Sequence, residues 1–217
     1  MSDTEVWPPA EGLTTKIVPR KDAIVQLPYS TKIHAPAALV FDTVLNIGDY
    51  PKWNTWIPSG RILTQPASAA ASDNSSRMHI GSTMVFNVVM NASKPNSITE
   101  TQLKVVDIST PSSPTTYLGP ALLADPSFTA DLTKVYRVSW TGHGAMASWG
   151  VLRLERFHEV IVRGEGECEV RTWEIMGGVM ARVVKGLLEG TLREKVGVWC
   201  ADLKAYCEKV HREGRET

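Results

Sequence analysis

The sequence predicts an α+β domain in which a curved antiparallel sheet wraps one long C-terminal helix. Two patterns carry that prediction. Several segments between residues 24 and 176 alternate apolar and polar side chains, as strands with one buried face do. Over 179–211, Met180, Val184, Leu188, Leu192, Val196, Trp199, Leu203, Tyr206 and Val210 recur every three or four residues, forming one helical stripe. A helix of that length spans about 50 Å, enough to cross a whole domain, so the sheet must curl around it.

The elements follow in order. Residues 1–22 read as an irregular, Pro-containing extension, 23–211 as one domain and 212–217 as a tail. In the segment 24–33, Val25, Leu27, Tyr29, Thr31 and Ile33 share one face of a strand. Pro36 opens a short helix with Val40, Phe41, Val44 and Leu45 at helical spacing, and Gly48 ends it before a turn carrying Trp53 and Trp56. Strands are expected near 59–64, 81–90, 98–108, 133–140, 149–161 and 167–176. Two stretches interrupt them. The low-complexity run 66–76 reads as a mobile loop. Residues 109–131, with four prolines and a helical turn near Leu122, read as a lid over one cavity mouth. Gly186, Gly190 and Gly197 break up the final helix, either for close helix–sheet contact or to leave room for a ligand.

Composition narrows the function. The 217 residues are 43% hydrophobic, and 23 basic side chains balance 23 acidic ones. Zero net charge gives no electrostatic reason to bind nucleic acid or an anionic membrane, and no run is apolar enough for stable membrane insertion. The first residues hold no signal core and carry Asp3, Glu5 and Glu11, so a cytoplasmic protein is expected. Cys168, Cys200 and Cys207 lack metal-ligand spacing and read as buried thiols. Two glycosylation sequons, at Asn74 and Asn91, should be inert without secretion. Seven tryptophans are the one compositional excess, and they either fill the core or line an aromatic pocket.

The segment STKIHAPAALVFDTVLNIGDYPKWNTWIP resembles the opening of the START-like (SRPBCC) superfamily, a strand, an I-x-A-P helix start and a D-x-Y-P-x-W-N-x-W-x-P turn. The closing hairpin and helix, from Val151 to Glu208, are similar to that superfamily's last elements. The likeness is greatest to fungal polyketide cyclase/dehydrase and coenzyme Q-binding START-like proteins, and it covers about residues 24–210. It implies a helix-grip fold with an elongated apolar cavity between sheet and helix, and neither metal nor other cofactor. In agreement, the sequence has no P-loop, dinucleotide-binding, HExxH or GxSxG motif.

Strand parity then selects polar groups on the cavity side. Leu152, Leu154, Arg156, His158 and Val160 share one face, and Cys168, Val170, Thr172, Glu174 and Met176 share another. A three-residue hairpin loop pairs Arg156 with Thr172; a five-residue loop (163–167) pairs Arg156 with Glu174. A buried charge needs a partner, so an Arg156–Glu174 ion pair is expected. It either fixes the sheet or belongs to a catalytic set. In the second reading Arg156 lowers the Glu174 pKa, His158 titrates near neutrality as the base, and Arg156 steadies an enolate oxygen. Asp107 shares parity with Leu103 and Val105 and is a weaker cavity candidate, while Asp42 should face solvent.

Tyr29, Met84, Phe86, Tyr136 and Trp140 fall on the apolar parity of their strands and are candidate cavity walls, with Thr172, Met180 and Val184. The resemblance places Trp53 at the pocket rim. Two functions fit: cyclisation, lactonisation or dehydration of a polyketide-type intermediate, or non-catalytic carriage of a lipid, quinone or other apolar molecule.

Overall fold

The computed structural model describes residues 6–69, 75–91, 93–94 and 97–215. The alternating segments become β1 (Val25–Ile33), β2 (Ser59–Thr64), β3 (Thr83–Val89), β4 (Ile98–Ser109), β5 (Val135–Gly142), β6 (Arg153–Gly164) and β7 (Glu167–Gly177). These build one sheet in the order β1-β7-β6-β5-β4-β3-β2, antiparallel throughout. Strands β2 to β7 pair with their chain neighbours, whereas β1 crosses over to pair with β7. Helix α1 (Ala37–Leu45) and a 3-10 turn (Ile47–Lys52) carry the chain from one sheet edge to the other. Val40, Phe41, Val44 and Leu45 are buried on α1, and the Tyr50 hydroxyl donates to the Val44 carbonyl at 2.9 Å. Two short helices occupy connections: α2 (Gly119–Leu123), near Leu122 as expected, and α3 (Ala145–Ser148).

The C-terminal stripe forms two helices rather than one, α4 (Val179–Leu187) and α5 (Glu189–Glu213). They meet at Leu188, whose φ of −127° leaves the helical range. The hydrogen-bond ladder continues across the bend, from Leu188 to Val184 and from Leu192 to Leu188, both at 2.8 Å. Gly186 and Gly190 flank it, and a Cβ at either would meet nothing within 4 Å. They weaken the helix locally without any packing need. Gly197 differs, because a Cβ there would lie 3.2 Å from the Tyr29 ring. Close helix–sheet contact therefore explains only the third glycine.

Both faces of the sheet are covered. On one, Val196, Trp199, Cys200, Leu203 and Cys207 of α5 pack with α1 against Leu27, Phe86, Val138 and Trp140. On the other, Leu13, Val18, Leu118 and Phe128 bury themselves against Phe157, Trp173 and Ile175. Each such apolar side chain contributes about 1.5–3 kcal/mol when fully buried. Several polar groups of this second layer are paired. Glu155 accepts from the Ile17 amide (2.8 Å), the Tyr117 hydroxyl (2.7 Å) and Ser139 (3.1 Å), and Arg137 and Glu159 form a buried ion pair at 2.6 Å.

This arrangement corrects two expectations. The 109–131 segment is no lid over the helix side: beyond Thr110 its apolar residues (Tyr117, Leu118, Leu122, Leu123, Phe128) pack on the opposite face, against the N-terminal arm. Asp107 also lies there, bonded by Thr115 at 2.5 Å, because a bulge shifts the β4–β5 register from Val105↔Trp140 to Asp107↔Ser139. One extra residue reverses strand parity, a change that simple alternation cannot anticipate. Of the loop expected at 66–76, residues 70–74 lie outside the described residues.

Candidate functional site

The β6–β7 hairpin pairs Val162 with Cys168 and, after a bulge, Gly164 with Glu167, so Arg156 stands opposite Glu174 and His158 opposite Thr172. This is the register of the five-residue alternative, although the turn itself is shorter. Arg156 Nη1 and Glu174 Oε2 are 3.5 Å apart, with side-chain exposures of 5% and 13%. The guanidinium lies over Trp56 (5.1 Å to the ring centroid) and Trp199 (5.7 Å). His158, fully buried, sits between Trp140 (centroids 4.5 Å apart) and Trp199 (4.6 Å).

These surroundings reverse the acid–base roles that parity alone suggests. Burial, reinforced by the Arg156 charge, holds the His158 pKa well below its usual 6.5, so His158 does not titrate near neutrality. Burial raises the Glu174 pKa, and Arg156, which lowers it, only partly offsets the effect. The long contact explains this balance: at 3.5 Å with one shared hydrogen bond, the attraction is weaker than the cost of dehydrating the carboxylate.

The site is rich in unpartnered polar atoms. Arg156 Nε and Nη2, both His158 ring nitrogens, Thr172 Oγ1, Asn54 Nδ2 and the Trp53 and Trp56 indole nitrogens are buried with no hydrogen-bond partner among the described residues. Leaving such groups without partners costs about 1–3 kcal/mol each, so this concentration marks a site and not ordinary core. Trp53, expected at a rim, is interior: it packs edge-on against Tyr50 (4.9 Å) and Trp199 (5.8 Å). Trp56, Trp199, Asn54 and Tyr50 join the site without having been singled out by parity, since they come from a turn and a helix. The turn motif held Tyr50, Asn54 and Trp56, and the helical stripe held Trp199.

Among the other expected wall residues, Met84, Phe86 and Trp140 are buried, and Phe86 packs edge-on against Trp140 at 5.8 Å. Val184 packs against the same core and Met180 is half-buried. Tyr29 is 41% exposed, its ring against Gly197 at the sheet edge. Aromatic side chains fill much of the space between sheet and α5. The cavity of about 490 Å³ instead opens beside α1, lined by Phe41, Leu45, Met78, Ile80, Ile108 and Tyr136, with the Asp42–Arg77 ion pair at its margin. Tyr136 alone of the expected wall residues lines it. Its inward row continues through Val138, which pairs with His158, so the cleft adjoins the polar set along β5. The cysteines are buried, and their pKa values are pushed up, Cys168 and Cys200 to about 12 and Cys207 to about 11, so none is a ready nucleophile. Among the described residues no cluster of His, Cys, Asp or Glu is arranged to hold a metal ion, and no helix is long and apolar enough to cross a membrane.

The sheet and its wrapped helix form a helix-grip fold, which solved structures of START-like proteins share. Zhui aromatase/cyclase from Streptomyces sp. R1128 shares the fold with TM-score 0.54 at 9% identity, over 85% of this chain and 93% of that one. A START superfamily protein from Mycobacterium smegmatis does so with TM-score 0.51 at 11% identity, over 85% and 98%. In sequence the chain is similar to oxopyrrolidines biosynthesis cluster protein O of Penicillium oxalicum, 26% identical over 210 residues, spanning 92% of this chain and 94% of that protein. No protein-family profile matches the chain.

Proposed function

We propose that this protein binds a largely apolar small molecule bearing carbonyl or enol oxygens, a polyketide-type intermediate, and catalyses its cyclisation, lactonisation or dehydration in the cytosol without a cofactor. One observation supports this above all: the polar set around Arg156 and His158 lies in an aromatic interior with several atoms that have no hydrogen-bond partner among the described residues. Ligand oxygens would satisfy it. The aromatic walls would hold a flexible chain in one conformer, which lowers the entropic part of the barrier. Glu174, with its raised pKa, removes a proton from the carbon between two carbonyls. Arg156 and the indole N–H groups stabilise the resulting enolate oxygen. The enolate carbon attacks a second carbonyl, and the new alkoxide takes the proton back from Glu174. A neutral His158 serves as hydrogen-bond donor to a carbonyl, the role a neutral imidazole plays in triosephosphate isomerase.

The fold shared with an aromatase/cyclase and the likeness to a biosynthesis-cluster protein agree with this setting. The second reading, a carrier, draws support from the depressed His158 pKa, which leaves the site one strong base fewer. Mass spectrometry of the small molecules that copurify from the native cell, followed by incubation with wild type and Glu174→Gln, separates the two. A product formed by wild type and not by Glu174→Gln, with binding retained, supports the enzyme. Recovery of the ligand unchanged from wild type establishes the carrier.

A further inference from the structure

Helix α4 turns an apolar row outward. Val179, Val183 and Leu187, four residues apart, are 67%, 45% and 76% exposed, and Leu188 at the bend is 40% exposed. The opposite face carries Ala181, fully buried, and Val184, packed on the core. Trp149, 79% exposed, extends the row. Its neighbours Gly150 and Val151 touch the start of α4: a Cβ on Gly178 would lie 2.9 Å and 2.7 Å from their carbonyl oxygens, and the Met180 amide donates to Val151 at 3.1 Å. Exposed Arg182 flanks this row with exposed Lys185 further round the helix, and residues 178–188 contain no Asp or Glu.

We propose that α4 and Trp149 form a peripheral docking surface for an anionic lipid membrane. An apolar helical row edged by basic side chains, with a tryptophan at its end, suits the headgroup–acyl boundary: the row enters the interface, the cations meet lipid phosphates and carboxylates, and the indole rests between. Two other occupants fit less well. A stable protein partner buries about 20–30 residues a side around anchors seated in pockets, whereas this surface is a short convex ridge beside Gly178, Gly186 and Gly190. A second copy of the chain would set Arg182 and Lys185 against their own kind with no acid on the ridge to offset them. The surface is separate from the Arg156–His158 site, so its test does not depend on what that site binds.

The test is cosedimentation of the full chain with vesicles of phosphatidylcholine alone and of phosphatidylcholine with roughly one-third phosphatidylserine. Wild type should bind the anionic vesicles far better and lose binding as salt is raised. Arg182→Glu/Lys185→Glu should weaken that binding by at least about 20-fold, and Val183→Ser/Leu187→Ser by at least about tenfold. All four positions are exposed or edge the exposed row, so the melting temperatures should stay near wild type, and the intact fold keeps the comparison valid. No binding to anionic vesicles, or equal binding to neutral ones, overturns the proposal. So does a dimer on size-exclusion chromatography that Val183→Ser/Leu187→Ser dissociates, which would assign the ridge to a second copy.

Discussion

Arg156 and Glu174 face each other in register across β6 and β7, yet their charged atoms come no closer than 3.5 Å. The pair is close enough to neutralise and too far to bond strongly. It leaves the carboxylate with a raised pKa and two guanidinium nitrogens without hydrogen-bond partners among the described residues.

Removing one partner strands the other. Glu174→Ala should destabilise the protein by about 3 kcal/mol or more, because Arg156 stays charged in a buried site. Replacing both, as in Arg156→Met/Glu174→Leu, should recover much of that loss. Urea melts of wild type and the two variants measure it, and a double variant no better than the single one would contradict the account.

Stability should fall on the acid side through His158. Its folded pKa is depressed, so below about 6.5 the unfolded chain binds a proton that the folded one refuses. The contribution is complete above that pH and is lost as pH falls, by up to about 1.4 kcal/mol per unit. Glu155, Glu174 and Asp107, whose pKa values are raised, act in the opposite sense, losing stability as pH rises through their folded values. The histidine effect is therefore read as the difference between wild type and His158→Phe at pH 7.5 and 5.5, roughly one unit either side of the unfolded pKa. Wild type should lose stability relative to the variant between the two pH values; a constant difference would exclude a buried neutral imidazole.

Glu155 fastens the N-terminal arm and the 109–131 segment to the back of the sheet. Glu155→Ala removes the acceptor of three donors, Ile17, Tyr117 and Ser139, and should cost about 3 kcal/mol. Hydrogen exchange should speed up at the Ile17 amide first. If only the C-terminal helices exchange faster, the clasp is misassigned.

The glycines of α5 should respond differently to alanine. Gly190→Ala meets no neighbour and should stabilise by about 0.5–1 kcal/mol through helix propensity alone. Gly197→Ala gains the same propensity but presses on the Tyr29 ring at 3.2 Å, so it should gain less or lose. Tyr29→Ala in the Gly197→Ala background should release the strain, which thermal melts detect.

The sequence by itself determined the strands, the inward faces of β6 and β7 and the apolar stripe of the last helices, because period-2 and period-3.6 burial are local properties of a chain folding over one core. From those faces alone Arg156, His158, Thr172 and Glu174 could be placed together. Only the tertiary structure decided the rest. A bulge beside Val105 moved Asp107 to the other face, and a bend at Leu188 split the expected helix. The arm and the 109–131 segment found a second apolar face around Phe157 and Trp173, where a lid had been expected. The protonation state of the site was likewise beyond reach of the pattern. It depends on Trp140, Trp199 and Arg156 converging on His158 from three different elements, and dehydration by such neighbours is a property of the packed interior, not of residue spacing.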